Sequence, residues 1–315
     1  MSPPPPRLSL CIPTHRRPAE LAEAVASGLA LRLRPLEILI GDDAPPGDER
    51  SADWVARLRP DLPNAVELRY WRHSPPLGQV RNVDALLRAS RGAWVCLLHD
   101  DDRLVADGIE QLLAALERQP DLQAGFGLQR VLLADGRLDP AGAERLNAAY
   151  GRVAAAAGRL DAPLLAAIRQ QFPNDGWIAR GDLVRQLGYR PAAGDAGDFD
   201  FGLRLAQHSR AFWYLHQACC DYRVSPVAVS TAKAAQFPLQ AYAILEHLAC
   251  PSRACDMARR ERLEAMLAPA TAAALHSGQR RTALRLLLSR RWWRRPRRWP
   301  RGAVYLFTLL FTRRC

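Results

Sequence analysis

The chain has 315 residues, 49% apolar and 24% charged, with a net charge of +12. That composition is globular, which excludes global disorder and collagen-like repeats, and the length suits one large or two modest domains. No apolar run reaches the roughly 18 residues that span a bilayer, so a conventional transmembrane helix is not expected.

The first half alternates short apolar strands with helical stretches. Residues 8–12 read as a strand ended by Pro13, and 18–31 as a helix with Leu21, Val25 and Leu29 on one face. A second strand at 36–40 runs into Gly41-Asp42-Asp43 and a Pro/Gly loop. A helix at 53–58, a strand at 66–70, a helix at 79–90 and a strand at 93–98 follow. Such alternation predicts a mostly parallel α/β sheet flanked by helices. Next come a strand at 124–133, turned by Asp135-Gly136, and an Ala-rich helix at 140–168. A loop and short helix follow at 172–188, then a helix at 199–207 and strands at 212–215 and 218–222. From 237 to 289 the chain reads as helical.

Three strand ends carry polar groups. The first gives Thr14, His15, Arg16 and Arg17, the second Asp42 and Asp43, and the fourth His99, Asp100, Asp101 and Asp102. In an open α/β sheet, ligands bind beyond the carboxyl ends of the strands. Adjacent carboxylates repel, and a divalent cation such as Mg2+ or Mn2+ relieves them while taking phosphate oxygens. A solvated acidic turn capping a helix accounts equally well for the triplet alone. Arg81, at the start of a helix, has the chemistry for a phosphate or a base edge, or serves as a surface arginine. His15 suits base stacking, or is a loop histidine.

Together these residues resemble the family 2 glycosyltransferases, inverting enzymes of the GT-A (Rossmann-like) fold. Pro13-Thr14-His15-Arg16-Arg17 is similar to the loop after the family's opening strand, and Asp42-Asp43 to its paired aspartates. Gly78 to Asn82, followed by Ala89 to Gly92, resembles its Arg-Asn segment. The run 99–102 resembles its D-x-D region, and Gly197-Asp198-Phe199-Asp200 its acidic catalytic segment. Tyr222-Arg223 through Ser230 resembles the close of its domain. The match covers about residues 7–232, in order. Two positions depart from the pattern: His99 replaces the first acid of the run, and Ser225 stands where the family often has His.

The resemblance implies a metal-dependent sugar transfer from a nucleotide-diphosphate sugar to a glycan or lipid-linked acceptor, in cell-surface polysaccharide assembly. It assigns Pro13, His15, Arg17, Asp43, Arg81 and Asp100 to the donor nucleotide, Asp101 and Asp102 to Mg2+ or Mn2+, and Asp198 to the general base. A degenerate, membrane-associated binding protein of the same fold is the alternative. The expected domains are a nucleotide-sugar-binding and catalytic domain at 1–235 and a helical C-terminal region at 236–315.

The basic charge lies in that last region. Residues 251–315 hold sixteen arginines against Asp256, Glu261 and Glu264, so the first 250 residues are nearly neutral. Nucleic acid is therefore not an expected partner of the main domain. Residues 290–301 combine seven arginines with three tryptophans, and 303–311 add an apolar stretch. That pattern suits an amphipathic tail (290–315) lying on an anionic membrane surface, or a basic helical tail packed on the body or on a partner protein. Residues 1–6 lack the apolar core of a signal peptide, and the seven cysteines are odd in number without a C-x-x-C pair. The expected location is cytoplasmic, peripheral on the inner face of the cytoplasmic membrane. His247, Cys250 and Cys255 lack a fourth ligand nearby, so no structural zinc is expected.

Overall fold

The computed structural model describes residues 5–224, 236–293, 299–300 and 302–305. Ser225, the motif's end at Ser230 and the apolar stretch after Tyr305 lie outside the described residues. The chain forms two compact units: Met1–Pro191 with Phe201–Ser225, and Ala192–Asp200 with Pro226–Cys315.

The first unit is built on one sheet. Strands β1 (Leu8–Thr14), β2 (Leu36–Asp42), β3 (Val66–Arg72) and β4 (Trp94–Leu97) run parallel in the order β3-β2-β1-β4. Strands covered on both faces read as unbroken apolar runs. Nearly all of β1 and all of β2 are buried, whereas β3 is half-buried at the edge. Helices α1 (Pro18–Leu29), α2 (Arg50–Leu58) and α3 (Gln79–Ala89) make the crossovers. Proline opens α1, where its missing N–H costs nothing. The register sets Thr14 opposite Asp42 and Cys11 opposite Leu97, so the polar strand ends share one edge.

The second half of the sheet is mixed. After β5 (Arg103–Leu104) come α4 (Ala106–Glu117), β6 (Leu122–Leu132), β7 (Leu138–Asp139), α5 (Pro140–Ala149) and β8 (Gly158–Leu160). Then follow α6 (Pro163–Ile168), β9 (Ile178–Arg180), α7 (Gly181–Leu187), α8 (Gly197–Gln207) and β10 (Ala211–Arg223). β9 is antiparallel to both β4 and β6, and β10 is parallel to β6.

Three elements differ from the sequence reading. Helix α4 was missed, although Ile109, Leu112, Leu113 and Leu116 form its buried stripe. It packs so closely on β10 that a Cβ at Gly108 would lie 1.8 Å from the Ala218 carbonyl oxygen. The Ala-rich segment is not one helix. It ends after α5, Gly151 and Gly158 take positive φ (68° and 106°), and a strand intervenes before α6. Two expected strands merge into β10, which carries register shifts between Leu215 and Cys220.

In the second unit, the expected continuous helical run divides into α9 (Phe237–His247), α10 (Arg253–His276), α11 (Arg280–Leu287) and a short α12 (Arg290–Trp293). Ser252 caps α10 by accepting from the Cys255 N–H. Leu245, Leu263, Leu267, Leu287 and Trp292 are fully buried. Arg291 reaches the Tyr242 hydroxyl at 3.2 Å. The burial of Trp292, against Tyr305 and close to Gly302, corrects its expected place on a lipid-facing tail.

Candidate active site

The parallel strands bring the polar ends of β1, β2 and β4 together. At the end of β1 the Thr14 hydroxyl donates to Asp100 Oδ2 at 2.8 Å, and the His15 N–H reaches the same oxygen at 3.3 Å. Arg17 Nη1 donates to Asp100 Oδ1 at 3.2 Å and to Asp101 Oδ2 at 2.6 Å. Asp100 is 7% exposed. Burial, helped by the charge of Asp101, pushes its carboxyl up to about 6, although Arg17, Thr14 and the His15 N–H oppose the shift.

The end of β2 is bound to the same loop. The His15 ring Nδ1 lies 2.9 Å from the Asp43 carbonyl oxygen, and the Asp43 N–H donates to Thr14 O. The Asp43 carboxylate accepts the Leu77 and Gly78 N–H groups at 2.5 and 2.7 Å, which fixes the turn before α3. Asp42 is fully buried and accepts from Tyr70 and the Ala44 N–H. Arg81 is exposed in the first turn of α3. Its neighbour Asn82 is buried and donates to Gly41 O at 2.8 Å. A Cβ at Gly41 would lie 2.0 Å from Asn82 Oδ1, so glycine is required for this approach.

The acidic run is held from behind. Arg223, at the end of β10, donates its N–H to Asp102 Oδ1 at 2.7 Å and its Nε to Asp101 O at 2.8 Å. The His99 N–H donates to Asp175 Oδ2 at 3.0 Å. Burial, then the charges of Asp175 and Asp101, raise the Asp102 carboxyl well above the ordinary range. Asp101 is the more open carboxylate, with 24% of its side chain exposed.

His99, Asp101 and Asp102 each offer a ligand atom, all within 4.8 Å of one another. Oxygen donors with one imidazole suit Mg2+ or Mn2+, so the residues present fit a divalent cation. His15, Arg17, Asp43, Asp100, Asp101 and Asp102 thus gather at one edge, with Pro13 at the end of β1 beside them. Asp198 sits in the first turn of α8, within the second unit. Sequence reasoning did not single out Asp175, because Pro173-Asn174-Asp175-Gly176 has the composition of a plain turn. It also gave Thr14 and Asn82 no role of their own.

Residues 9–142 match the family described as Glycosyl transferase family 2. The likeness to that family covers less than half of the chain. A curated relative, the uncharacterized protein MT1568 of Mycobacterium tuberculosis, is 27% identical over 226 residues, 69% of this chain and 67% of that protein. Solved structures share the fold of this chain. S. aureus TarS 1–349 in complex with UDP-GlcNAc superposes with a TM-score of 0.64 at 13% identity, covering 96% of this chain and 81% of that one. The mannosyltransferase PcManGT of Pyrobaculum calidifontis, in complex with GDP-Man and Mn2+, gives 0.59 at 15% identity, covering 96% and 86%. The GT-A architecture, a mixed α/β sheet flanked by helices with C-terminal helices, is therefore the fold of this chain.

Proposed function

We propose that the chain moves a sugar from a nucleotide-diphosphate sugar to an acceptor hydroxyl with inversion, in cell-surface glycan assembly. One observation carries this reading: the His15–Asp43 contact and the Asp100–Asp102 run adjoin at the carboxyl edge of the sheet, within the stretch that matches the family 2 model. The nucleotide-sugars named for TarS and PcManGT support the donor class, and the Mn2+ of the latter supports the cation.

Pro13, His15 and Asp43 hold the base and ribose. Asp43 already takes two backbone N–H groups, and a carboxylate has about four lone-pair sites, so it keeps acceptor capacity. Arg81 meets a phosphate. Arg17 and Asp100 order the loop between nucleotide and acidic run. Asp101 and Asp102, beside His99, hold Mg2+ or Mn2+, which when bound supplies positive charge against the departing diphosphate. Asp198 accepts the acceptor's hydroxyl proton while that oxygen bonds the anomeric carbon. The bond from that carbon to the diphosphate oxygen breaks on the opposite face.

The test incubates the full chain with a panel of labelled nucleotide-sugars and Mn2+, reading nucleoside-diphosphate release with and without acceptor glycans. Release from one donor supports transfer. Binding of a donor, seen as a thermal shift, without release from any of them would favour the degenerate binding protein, a reading that His99 in the acidic run keeps open.

We further infer peripheral attachment to an anionic membrane. Among the described residues no helix is long and apolar enough to cross a bilayer. Leu284, Leu288, Trp299 and Val304 are exposed, and Arg280, Arg281 and Arg285 are exposed near the first two. Apolar side chains set among arginines suit a lipid interface, each basic residue near it adding about 1 kcal/mol. A lipid-linked acceptor fits such a location.

A further inference from the structure

Asp175 is among the most buried carboxyl groups of the first unit, at 1% exposure, and the proposed reaction gives it no role. It comes from the turn between α6 and β9, remote in sequence from the acidic run. It nevertheless meets that run at two points. Its Oδ2 accepts the His99 N–H at 3.0 Å, and its carboxyl adjoins that of Asp102, the two with Cys220 having ligand atoms within 4.8 Å of one another. Asp175 Oδ1 is buried with no hydrogen-bond partner among the described residues. The next backbone link fixes the turn itself: the Gly176 N–H donates to Leu97 O at 2.8 Å, at the end of β4. A Cβ at Gly176, where φ is 68°, would lie 2.6 Å from the Cys220 Cβ, so the turn is pressed against β10.

Asp102 is thereby held on two sides. Arg223 donates its N–H to Oδ1, and Asp175 meets the carboxyl from the β9 side. Two adjoining carboxyls remote from water are a cost to folding, not a gain, unless a proton or cation lies between them. A fold with only stability to serve would do better with a neutral side chain at position 175. The arrangement has another consequence. It fixes the backbone at His99 and the carboxyl of Asp102, the two ends of the run, and leaves Asp101 facing outward between them.

We propose that Asp175 is a positioning residue for the divalent-cation site: by anchoring the His99 N–H and the Asp102 carboxyl it sets the direction in which Asp101 and Asp102 present their oxygens. It is not itself a ligand. The inference rests on the reading of the acidic run as a cation site, and the turn 173–176 acts as its back wall. Preorganisation of this kind is worth tenfold or more in metal affinity when the supporting residue is lost.

The experiment titrates Mn2+ alone into the full chain by calorimetry, for the wild type and for Asp175→Ala, Asp175→Asn and Asp101→Ala. Asn can still accept the His99 N–H and donate to Asp102. Asp175→Ala should bind Mn2+ at least tenfold more weakly, whereas Asp175→Asn should stay within about threefold of wild type. Thermal melting without metal should show Asp175→Asn no less stable than wild type, which a residue serving stability alone would not allow. Mn2+ affinity unchanged in Asp175→Ala overturns the proposal. So does an Asn variant as weak as Ala, since that would make the carboxylate a ligand. If Asp175→Ala does not fold, Asp175→Ser, too short to span to Asp102, takes its place with the same expectation. If the wild type binds no Mn2+, or Asp101→Ala binds it equally well, the cation site itself is refuted. Hydrogen exchange at residues 99–102 then decides the anchoring on its own. Exchange at least tenfold faster in Asp175→Ala and unchanged in Asp175→Asn supports the anchor, and unchanged exchange in Asp175→Ala overturns it.

Discussion

Arg17 Nη1 stands 2.6 Å from Asp101 Oδ2 and 3.2 Å from Asp100 Oδ1, so one guanidinium spans two neighbouring carboxylates. The arginine occupies the role a cation would otherwise fill, neutralising acids that adjacency in sequence forces together. Hydrogen bonds to charged groups contribute about 2 kcal/mol each in such partly buried places. Arg17→Gln, whose amide can keep one of the two bonds, should therefore lower stability by about 2 kcal/mol in EDTA, measured by urea unfolding. With Mn2+ present the loss should shrink, because the metal takes over the neutralisation. A deficit of the same size in both conditions would refute the shared role.

Asp100 makes a pH prediction with a definite sign. Its carboxyl is raised from 3.8 to about 6 in the folded chain, so the folded state holds a proton that the unfolded state has lost between those values. Stability in EDTA should thus fall as pH rises from about 4 through about 6, and level off above. Two units correspond to about 3 kcal/mol. Asp100→Asn should remove that slope and melt higher than wild type at pH 8. A wild-type chain whose melting temperature is flat over the window would contradict the assignment.

Glu37 has the opposite behaviour and a different purpose. It is fully buried in β2, where burial raises its carboxyl but donation from Ser9, Arg69 and Arg91 lowers it further. Its stabilising contribution is present at neutral pH and is lost as pH falls through its depressed value. The Ser9 hydroxyl reaches Glu37 Oε2 at 2.5 Å, and Arg69 and Arg91 reach Oε1 at 2.8 and 2.7 Å. Glu37→Ala leaves two guanidinium groups without their buried partner and should cost about 3–5 kcal/mol in urea unfolding. Nucleotide affinity of the folded fraction should be unchanged, because the network lies away from the strand ends that carry His15 and Asp100.

How much of this was legible in the sequence follows from which forces are local. β1 and β2 announce themselves because strands covered on both faces need unbroken apolar runs, and parallel order then gathers Asp43 and Asp100–Asp102 without further information. Nothing local distinguishes Asp175, since its partners, His99 and Asp102, come from another part of the chain. Alanine's helix propensity made 140–168 look like one helix, yet Gly151 and the hydrogen bonds of β8 to β10 override it. Trp292 reads as an interfacial aromatic, but its ring packs inside the second unit, and only tertiary contacts disclose that.

The burial of Trp292 also changes how the membrane proposal should be tested. Removing residues 290–315 would take away part of the second unit's core along with any lipid contact. Leu284 and Leu288 are 42% and 67% exposed, so Leu284→Glu and Leu288→Glu alter the surface with little cost to folding. Wild type should pellet with phosphatidylglycerol vesicles and not with neutral phosphatidylcholine. The double variant should lose most of that binding at an unchanged melting temperature. Equal pelleting by the double variant would reject this face as the lipid contact.

The proposed base, Asp198, allows chemistry to be tested apart from binding. A general base contributes about 10²–10⁴ in rate, and it acts on the acceptor, not on the nucleotide. Asp198→Asn keeps the size of the side chain at the start of α8 while removing its capacity to take a proton. Sugar transfer should fall by about 10² or more while the dissociation constant for the donor nucleotide stays within a few-fold. Asp101→Ala should show the converse pattern, with donor binding weakened most when Mn2+ is present and little changed in EDTA. If Asp198→Asn retains full transfer, the base lies elsewhere, and Asp195 and Asp200, on the same short acidic segment, become the residues to replace next.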